Sequence, residues 1–144
     1  MSRVAKSAVI NGNADQIMNY IADVNNHPAF IGPLKSIANI KGDPKKAGTA
    51  WDWTFVMGGV EFSGRSETVS YEAGKKFSYK TTTGIMSTFT YTAEPASGGV
   101  KVTVDVAYEL PQTLLSKMQA SVVEKLNEAE GSRAVENLKA ILDQ

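Results

Sequence analysis

The chain has 144 residues, 42% of them hydrophobic and 21% charged, which is an ordinary composition for a globular protein with its own core. Fifteen basic residues balance fifteen acidic ones, so the composition argues against nucleic acid or an anionic membrane as the main partner. Cysteine is absent, which excludes disulfides, thiolate metal ligands and thiol nucleophiles. We expect one domain over residues 1–144.

The N-terminal stretch, residues 1–6, lacks the apolar run of a signal peptide, and no segment is apolar enough to span a bilayer. We therefore expect a cytoplasmic protein without stable membrane insertion. The oligomeric state stays open at this point.

The first part of the chain predicts a strand followed by two short helices. Residues 3–10 alternate as in a strand, and Asn13 is placed to cap a helix that begins at about Ala14. The segment around His27 and Pro28 interrupts that helix. A brief apolar turn follows, and then a weakly alternating strand over 34–41.

Residues 49–108 alternate strictly between apolar and polar side chains and are punctuated by glycines, which predicts an antiparallel meander. The apolar face changes parity between Ser66 and Tyr71, which predicts a β-bulge. The cleanest alternation lies in the last strand, residues 100–108.

A two-residue turn at Gly58-Gly59 would set Trp53 against Gly64 and Asp52 against Arg65. An aromatic ring over a glycine and an opposite-charge pair on the other face are both favourable. We therefore expect Arg65 to form a solvent-side ion pair, although a bulge before it would turn it into the interior as a catalytic candidate.

An odd-length turn at Gly84 would set Tyr79 against Phe89 and Phe77 against Tyr91. This register keeps the aromatic side chains on one face of the sheet.

Residues 111–144 predict one long helix, broken in its apolar pattern at Gly131. Before that glycine, apolar residues recur at three- and four-residue steps, and we expect this stripe to be buried. The stripe consists of Leu115, Met118, Val122, Leu126 and Ala129.

These elements predict an α+β fold in which a seven-stranded curved antiparallel sheet grips a long C-terminal helix, with two short helices after the first strand. Seven strands make a sheet ~29 Å wide, whereas one helix covers only ~10–12 Å. The mismatch predicts a cavity between the sheet and the helix. The expected ligand-binding residues are Trp51, Trp53, Phe55, Phe62, Phe77, Tyr79, Phe89, Tyr91, Tyr108, Leu115, Met118 and Val122.

An alternative is that these aromatics simply fill the core. The tyrosines favour the cavity, because a buried phenol needs a hydrogen-bond partner and small-molecule sites combine apolar walls with a few polar groups.

Three segments, residues 10–23, 27–33 and 137–142, resemble the SRPBCC superfamily of START-like, helix-grip proteins, which includes polyketide cyclases, lipid-transfer domains and the birch pollen allergen group. Asn13 stands where the family often has Pro, and Met18 where it often has Trp. The resemblance implies a deep apolar pocket for a lipid-like, aromatic or polyketide-like molecule. It points most directly to the polyketide cyclase/dehydrase branch.

The residues with catalytic or metal-binding chemistry are few. His27 is the single histidine and stands beside a proline in a polar break, so we expect it at the surface or in a hinge. Without other nitrogen or sulfur ligands the sequence predicts no metal site, and no motif implies a cofactor or a hydrolytic triad. No catalytic residue is assigned.

The sequence therefore supports three functional hypotheses. Binding of a hydrophobic small molecule without catalysis is slightly favoured, because the apolar face carries few acids or bases. The alternative is a cyclase or dehydratase that uses Tyr79, Tyr91 and Tyr108 inside the pocket. A third is a protein–protein interaction module that docks through the helix and the Phe30-Ile31 turn.

Overall fold

The computed structural model describes residues 1–144 and confirms the predicted α+β class, with an open, curved antiparallel sheet in the order β1-β7-β6-β5-β4-β3-β2 and a long C-terminal helix. The strands are β1 Ser2–Ile10, β2 Leu34–Lys41, β3 Ala50–Met57, β4 Val60–Glu72, β5 Lys76–Thr83, β6 Ser87–Ala96 and β7 Gly99–Tyr108. The helices are α1 Ala14–Ala22, α2 His27–Phe30, α3 Gln112–Leu115 and α4 Ala120–Leu142, with a 3-10 turn at Val24–Asn26.

The start of α1 is set by its cap, as the sequence predicted. Asn13 has an extended backbone, and its side-chain oxygen accepts a hydrogen bond from the backbone N–H of Gln16 at 3.1 Å. This bond satisfies one of the N–H groups that a helix start leaves unpaired. Ile17 and Ile21 then turn inward and are buried.

The predicted register of the β3–β4 hairpin is confirmed. Trp53 pairs with Gly64 and Asp52 with Arg65, and Arg65 Nη1 lies 2.7 Å from Asp52 Oδ1. Both side chains of the ion pair are more than a third exposed, so Arg65 is a solvent-side residue and the pair contributes ~0–1 kcal/mol. The predicted bulge is also present, between Thr68 and Ser70 of β4.

The register of β5 and β6 is confirmed as well. Tyr79 pairs with Phe89 and Phe77 with Tyr91. The rings of Tyr79 and Phe89 stack, with centroids 4.8 Å apart and planes within 11°. Aromatic rings from neighbouring strands therefore form one continuous surface.

The prediction of a single helix from Pro111 was wrong. Pro111 begins the one-turn α3, residues 116–119 leave the helix, and α4 begins at Ala120. Because the break resets the helical phase, the predicted stripe is not buried, and Val122 and Leu126 are 43% and 38% exposed. The buried residues of the two helices are Leu114, Val123, Ala134, Val135 and Leu138.

The position of α4 depends on contacts with β1. A Cβ at Gly131 would lie 2.7 Å from Val4 Cγ1, so only glycine allows this close approach. At its C-terminal end the backbone N–H of Gln144 donates to the Asn11 oxygen, and Lys139 Nζ donates to the Val9 oxygen at 2.7 Å. The helix is therefore held along the edge of the sheet rather than over its centre.

The main core lies between the sheet and the helices at one end of the molecule. There α1 contacts β5 and β6, and α2 lies between β2 and α4. A smaller cluster of Met57, Leu114 and Val123 closes the other end. No helix of the structure has the length and hydrophobicity needed to cross a bilayer.

Candidate functional site

A cavity of about 140 Å³ lies between the concave face of the sheet and α4. This volume resembles the ~150 Å³ of an apolar cavity that binds benzene, so the cavity as it stands accommodates one aromatic ring. Its lining comes from the sheet, from α2 to β2, and from α3 and α4. The lining residues are Val4, His27, Ile31, Pro33, Leu34, Ile37, Trp51, Trp53, Phe55, Met57, Ser66, Tyr79, Thr81, Ile85, Ser87, Phe89, Tyr91, Val104, Val106, Tyr108, Pro111, Leu114, Val123, Asn127, Glu130, Gly131 and Ala134.

The part of the lining that comes from β3 to β7, here called the sheet wall, is mostly aromatic. Trp51 packs edge-on against Tyr79, with ring centroids 5.3 Å apart, and the ring centroids of Tyr79 and Tyr91 are 6.3 Å apart. Such contacts add about 0.5–1.5 kcal/mol each beyond burial and hold the rings in fixed orientations. Of the residues predicted to bind ligand, the sheet wall contains Trp51, Trp53, Phe55, Tyr79, Phe89, Tyr91 and Tyr108.

The part that comes from α4, here called the helix wall, consists of small and polar side chains. Its residues are Val123, Asn127, Glu130, Gly131 and Ala134. A search for an apolar stripe misses this face, because two of its five positions are polar. The helical spacing of the apolar residues after Gly131, extended toward the N-terminus, identifies this face, since 127, 130 and 134 are three and four residues apart.

Five predicted ligand-binding residues do not line the cavity. Phe62 and Met118 pack against the smaller cluster, and Phe77 is fully buried in the main core. Leu115 and Val122 do not line the cavity, and their neighbours in sequence, Leu114 and Val123, line it instead. The prediction treated residues 111–144 as one helix, whereas α3 and α4 are separate helices with separate inward faces.

The expectation that His27 lies at the surface was wrong. Its ring is 1% exposed and packs against Phe30, Phe77, Tyr79 and Tyr91, with centroids 5.3–6.2 Å away. Pro28 in the first turn of α2 turns the chain there, so a polar stretch of sequence brings its histidine inward. Burial lowers the pKa of His27 to about 4, against a smaller opposing effect of its hydrogen bond to the Ile21 oxygen.

The tyrosines on the sheet wall are neutral at ordinary pH. Burial raises the pKa of both Tyr79 and Tyr91, and raises that of Tyr108 as well. These phenols therefore act as hydrogen-bond donors and acceptors rather than as bases.

Two buried polar atoms have no hydrogen-bond partner, Trp53 Nε1 and Tyr91 Oη. Both residues line the cavity. Since a buried unpaired polar group costs about 1–3 kcal/mol, such atoms in a cavity wall are ready contacts for a ligand.

Other hydroxyls in the lining have structural partners. Thr81 Oγ1 accepts a hydrogen bond from the Ser87 backbone N–H at 2.7 Å and donates to the Ile85 oxygen. These bonds hold the turn between β5 and β6 in place. No group of three or more His, Cys, Asp or Glu side chains is arranged to hold a metal ion.

Comparisons with known proteins agree with this architecture. A family model described as "Polyketide cyclase / dehydrase and lipid transport" matches residues 1–143, while no curated protein matches the chain by sequence.

Several solved structures share the fold at low sequence identity. The protein TTHA0849 from Thermus thermophilus superposes with a TM-score of 0.82 at 15% identity, covering 98% of this chain and 97% of that chain. The di-domain ARO/CYC StfQ from the steffimycin biosynthetic pathway gives 0.74 at 14% identity, covering 97% of this chain and 50% of its own. Ginseng major latex-like protein 151 from Panax ginseng gives 0.70 at 13% identity, with 98% and 97% covered. At these identities the likeness concerns the fold alone.

Proposed function

Because the chain belongs to the polyketide cyclase / dehydrase and lipid transport family, we propose that it binds a hydrophobic small molecule in the cavity between the sheet and α4. The lipid, aromatic or polyketide-like guest lies against the sheet wall. The observation that carries this proposal is the largely apolar cavity with unpaired polar atoms on Trp53 and Tyr91. Binding sites for small molecules combine these two properties.

The volume limits the first ligands to consider. A single-ring aromatic fits the cavity as it stands, whereas a lipid or a multi-ring compound requires α3 and α4 to move outward. The helix wall is the part of the lining without aromatic contacts to its neighbours, so a larger guest would displace it before the sheet wall.

Fluorescence of aminoanthracene, a neutral three-ring probe, tests the proposal together with the outward movement of α3 and α4 that a guest of this size requires. The wild type should enhance the emission with a saturable dependence on protein concentration. Val106→Phe, which adds volume inside the cavity, should weaken binding at least tenfold. The matched control is Val69→Phe on the 44% exposed position of β4, which should leave binding unchanged. Equal binding by both variants would contradict the proposed site.

Cyclase or dehydratase chemistry is the second candidate function. What favours it is His27, a neutral imidazole in the cavity lining, together with the phenols of Tyr79 and Tyr91 nearby. A neutral imidazole accepts a proton, and a phenol stabilises a developing enolate through a hydrogen bond. Catalysis of this kind needs no metal or redox cofactor.

Conservative variants separate the two functions. A carrier in which Tyr79, Tyr91 and Tyr108 are each changed to Phe should keep most of its affinity for aminoanthracene. An enzyme should lose turnover of a polyketide-like substrate by ~10²-fold or more. Mass spectrometry of compounds that co-purify with the native protein would identify the ligand to use as substrate.

A further inference from the structure

The cavity wall carries a polar group whose presence packing does not explain. Tyr91 is completely buried, and its ring packs edge-on against Phe30 with centroids 6.1 Å apart. A phenylalanine would make the same ring contacts. Burial raises the pKa of Tyr91, and the nearby Tyr79 hydroxyl lowers it by less. No hydrogen bond joins the two hydroxyls, and Tyr91 Oη has no partner in the protein. The desolvation of the Tyr91 hydroxyl is therefore uncompensated until something in the cavity bonds to it.

The neighbouring imidazole has a fixed tautomer. His27 Nε2 lies 2.7 Å from the Ile21 carbonyl oxygen, and because a carbonyl oxygen only accepts, Nε2 carries the hydrogen. Burial lowers the pKa of His27 to about 4, so the ring is neutral at pH 7. Its Nδ1 is therefore an acceptor, and the hydrogen bond that the ring makes inside the protein is the one through Nε2.

The two residues are neighbours in the cavity wall. The ring centroids of His27 and Tyr91 are 6.2 Å apart, and both residues line the cavity. One offers an acceptor, and the other offers an O–H donor. The simplest ligand group that satisfies both is a hydroxyl, which donates to Nδ1 and accepts from Tyr91.

The charge of the lining excludes a carboxylate in this role. None of the lining residues is Lys or Arg, and the acidic one, Glu130, pairs with Arg133 at 2.5 Å. An anion inside the cavity would therefore meet no lysine or arginine of the lining. Burial of an unpaired anion is among the most costly arrangements in a protein.

We propose that His27 and Tyr91 form a hydroxyl-recognition site in the cavity wall, which selects an uncharged phenol or alcohol over an apolar analogue and over a carboxylate. This inference rests on the proposed binding function and specifies the ligand class. The Trp53 N–H, also unpaired, belongs to the same lining but is not needed for the selection.

Four probes of one shape test the site by isothermal titration calorimetry at pH 7. They are para-ethylphenol, para-ethyltoluene, para-ethylanisole and para-ethylbenzoate. The wild type should bind the phenol about tenfold more tightly than the toluene analogue. The anisole accepts but does not donate, so it should bind more weakly than the phenol. The benzoate should show no measurable binding.

The protein variants assign the preference to one atom. Tyr91→Phe should bring the phenol to the affinity of the toluene analogue while the latter stays unchanged. Tyr20→Phe is the matched control, because Tyr20 lies outside the cavity and its hydroxyl makes no hydrogen bond. It should keep the tenfold preference.

The outcomes separate this inference from the proposed function. The inference is overturned if the wild type binds the phenol and toluene analogues equally, if the preference survives in Tyr91→Phe, or if the benzoate matches the phenol. An anisole that equals the phenol would overturn the role of His27. If neither these probes nor aminoanthracene binds at all, the proposed binding function fails as well.

Discussion

The sheet wall and the helix wall of the cavity are built in different ways. On the sheet wall, aromatic rings from β3, β5 and β6 touch one another, and their positions follow from the hydrogen-bond register of the strands. On the helix wall, Val123, Asn127 and Ala134 are small or polar, and their position depends on how α4 lies against β1. From this comparison we expect the sheet wall to keep its shape and the helix wall to be the side that adjusts.

This difference follows from the number and range of the contacts on each side. A strand inside the sheet is bonded to two neighbours, so one residue cannot move without its ladder. The second half of α4 is held at Gly131 and at its C-terminal end. The first half is held to β1 by side-chain contacts, from Ser2 Oγ to Glu124 at 3.1 Å and from Lys6 Nζ to Glu128 at 2.7 Å. If a guest binds as proposed, we expect α3 and the first half of α4 to move before the rings of the sheet wall.

The largest expected effect comes from removing a ring of the sheet wall. Trp51→Ala should lower the free energy of unfolding by about 3–5 kcal/mol, because Trp51 is 1% exposed and packs against Tyr79. Val123→Ala on the helix wall should cost less, about 1–3 kcal/mol. Urea unfolding measures both, and a larger loss at Val123 would reverse the comparison.

Acid should destabilise the protein through His27, which packs against Tyr79 and Tyr91 of the sheet wall. Its pKa is about 4 in the folded protein and 6.5 when unperturbed, so the unfolded chain binds more protons between these values. The free energy of unfolding should therefore be about 3 kcal/mol lower at pH 4 than above pH 6.5. The negative charge of Asp23 raises the pKa of His27, but by less than burial lowers it. Tyr79 and Tyr91, which pack on the imidazole, stay neutral.

The matched variant is His27→Gln, whose amide still donates to the Ile21 oxygen. Unfolding in urea at several pH values between 7 and 4 should show a slope for the wild type and almost none for the variant. Hydrogen bonds lower the pKa of Asp52 and Asp143 from 3.8, so their contributions are lost below this window. Equal slopes in the two proteins would refute the assignment.

Separating α4 from β1 should affect the helix wall alone. Gly131→Val places atoms where Val4 Cγ1 lies 2.7 Å from the Cβ position, and overpacking of this kind costs about 1–3 kcal/mol. The control is Ala129→Val on the exposed face, which should cost no more than ~0.7 kcal/mol in helix propensity. Thermal unfolding distinguishes them, and an equal loss would show that Gly131 has no packing role.

The smallest effect should occur on the outward side of α4. Val122→Ser and Leu126→Ser should each change stability by less than about 0.5 kcal/mol and leave aminoanthracene binding intact, because both positions are exposed. Val123→Ser should weaken both properties, since Val123 is fully buried and lines the cavity. A stronger effect at 122 than at 123 would contradict the structure and support the predicted stripe, in which Val122 is buried.

Most of the sheet wall was predictable because its pattern is local. Strict alternation assigns each side chain to a face, and a two-residue turn fixes the pairs of Trp53 with Gly64 and of Asp52 with Arg65. The same reasoning placed Arg65 on the solvent side. Phe62 and Phe77 were assigned to the correct face and still miss the cavity, because the extent of a void depends on what packs opposite each residue.

The amino-acid sequence by itself determined the α+β class, the register of the hairpins and the apolar face of the meander, since turn residues and side-chain alternation act between neighbours in the chain. The tertiary structure alone decided the phase of α4, the burial of His27 and the unpaired hydroxyl of Tyr91. A helix turns by about 100° per residue, so a four-residue break changes every inward position. A lone histidine has no pattern at all, and its environment is set by residues distant in sequence.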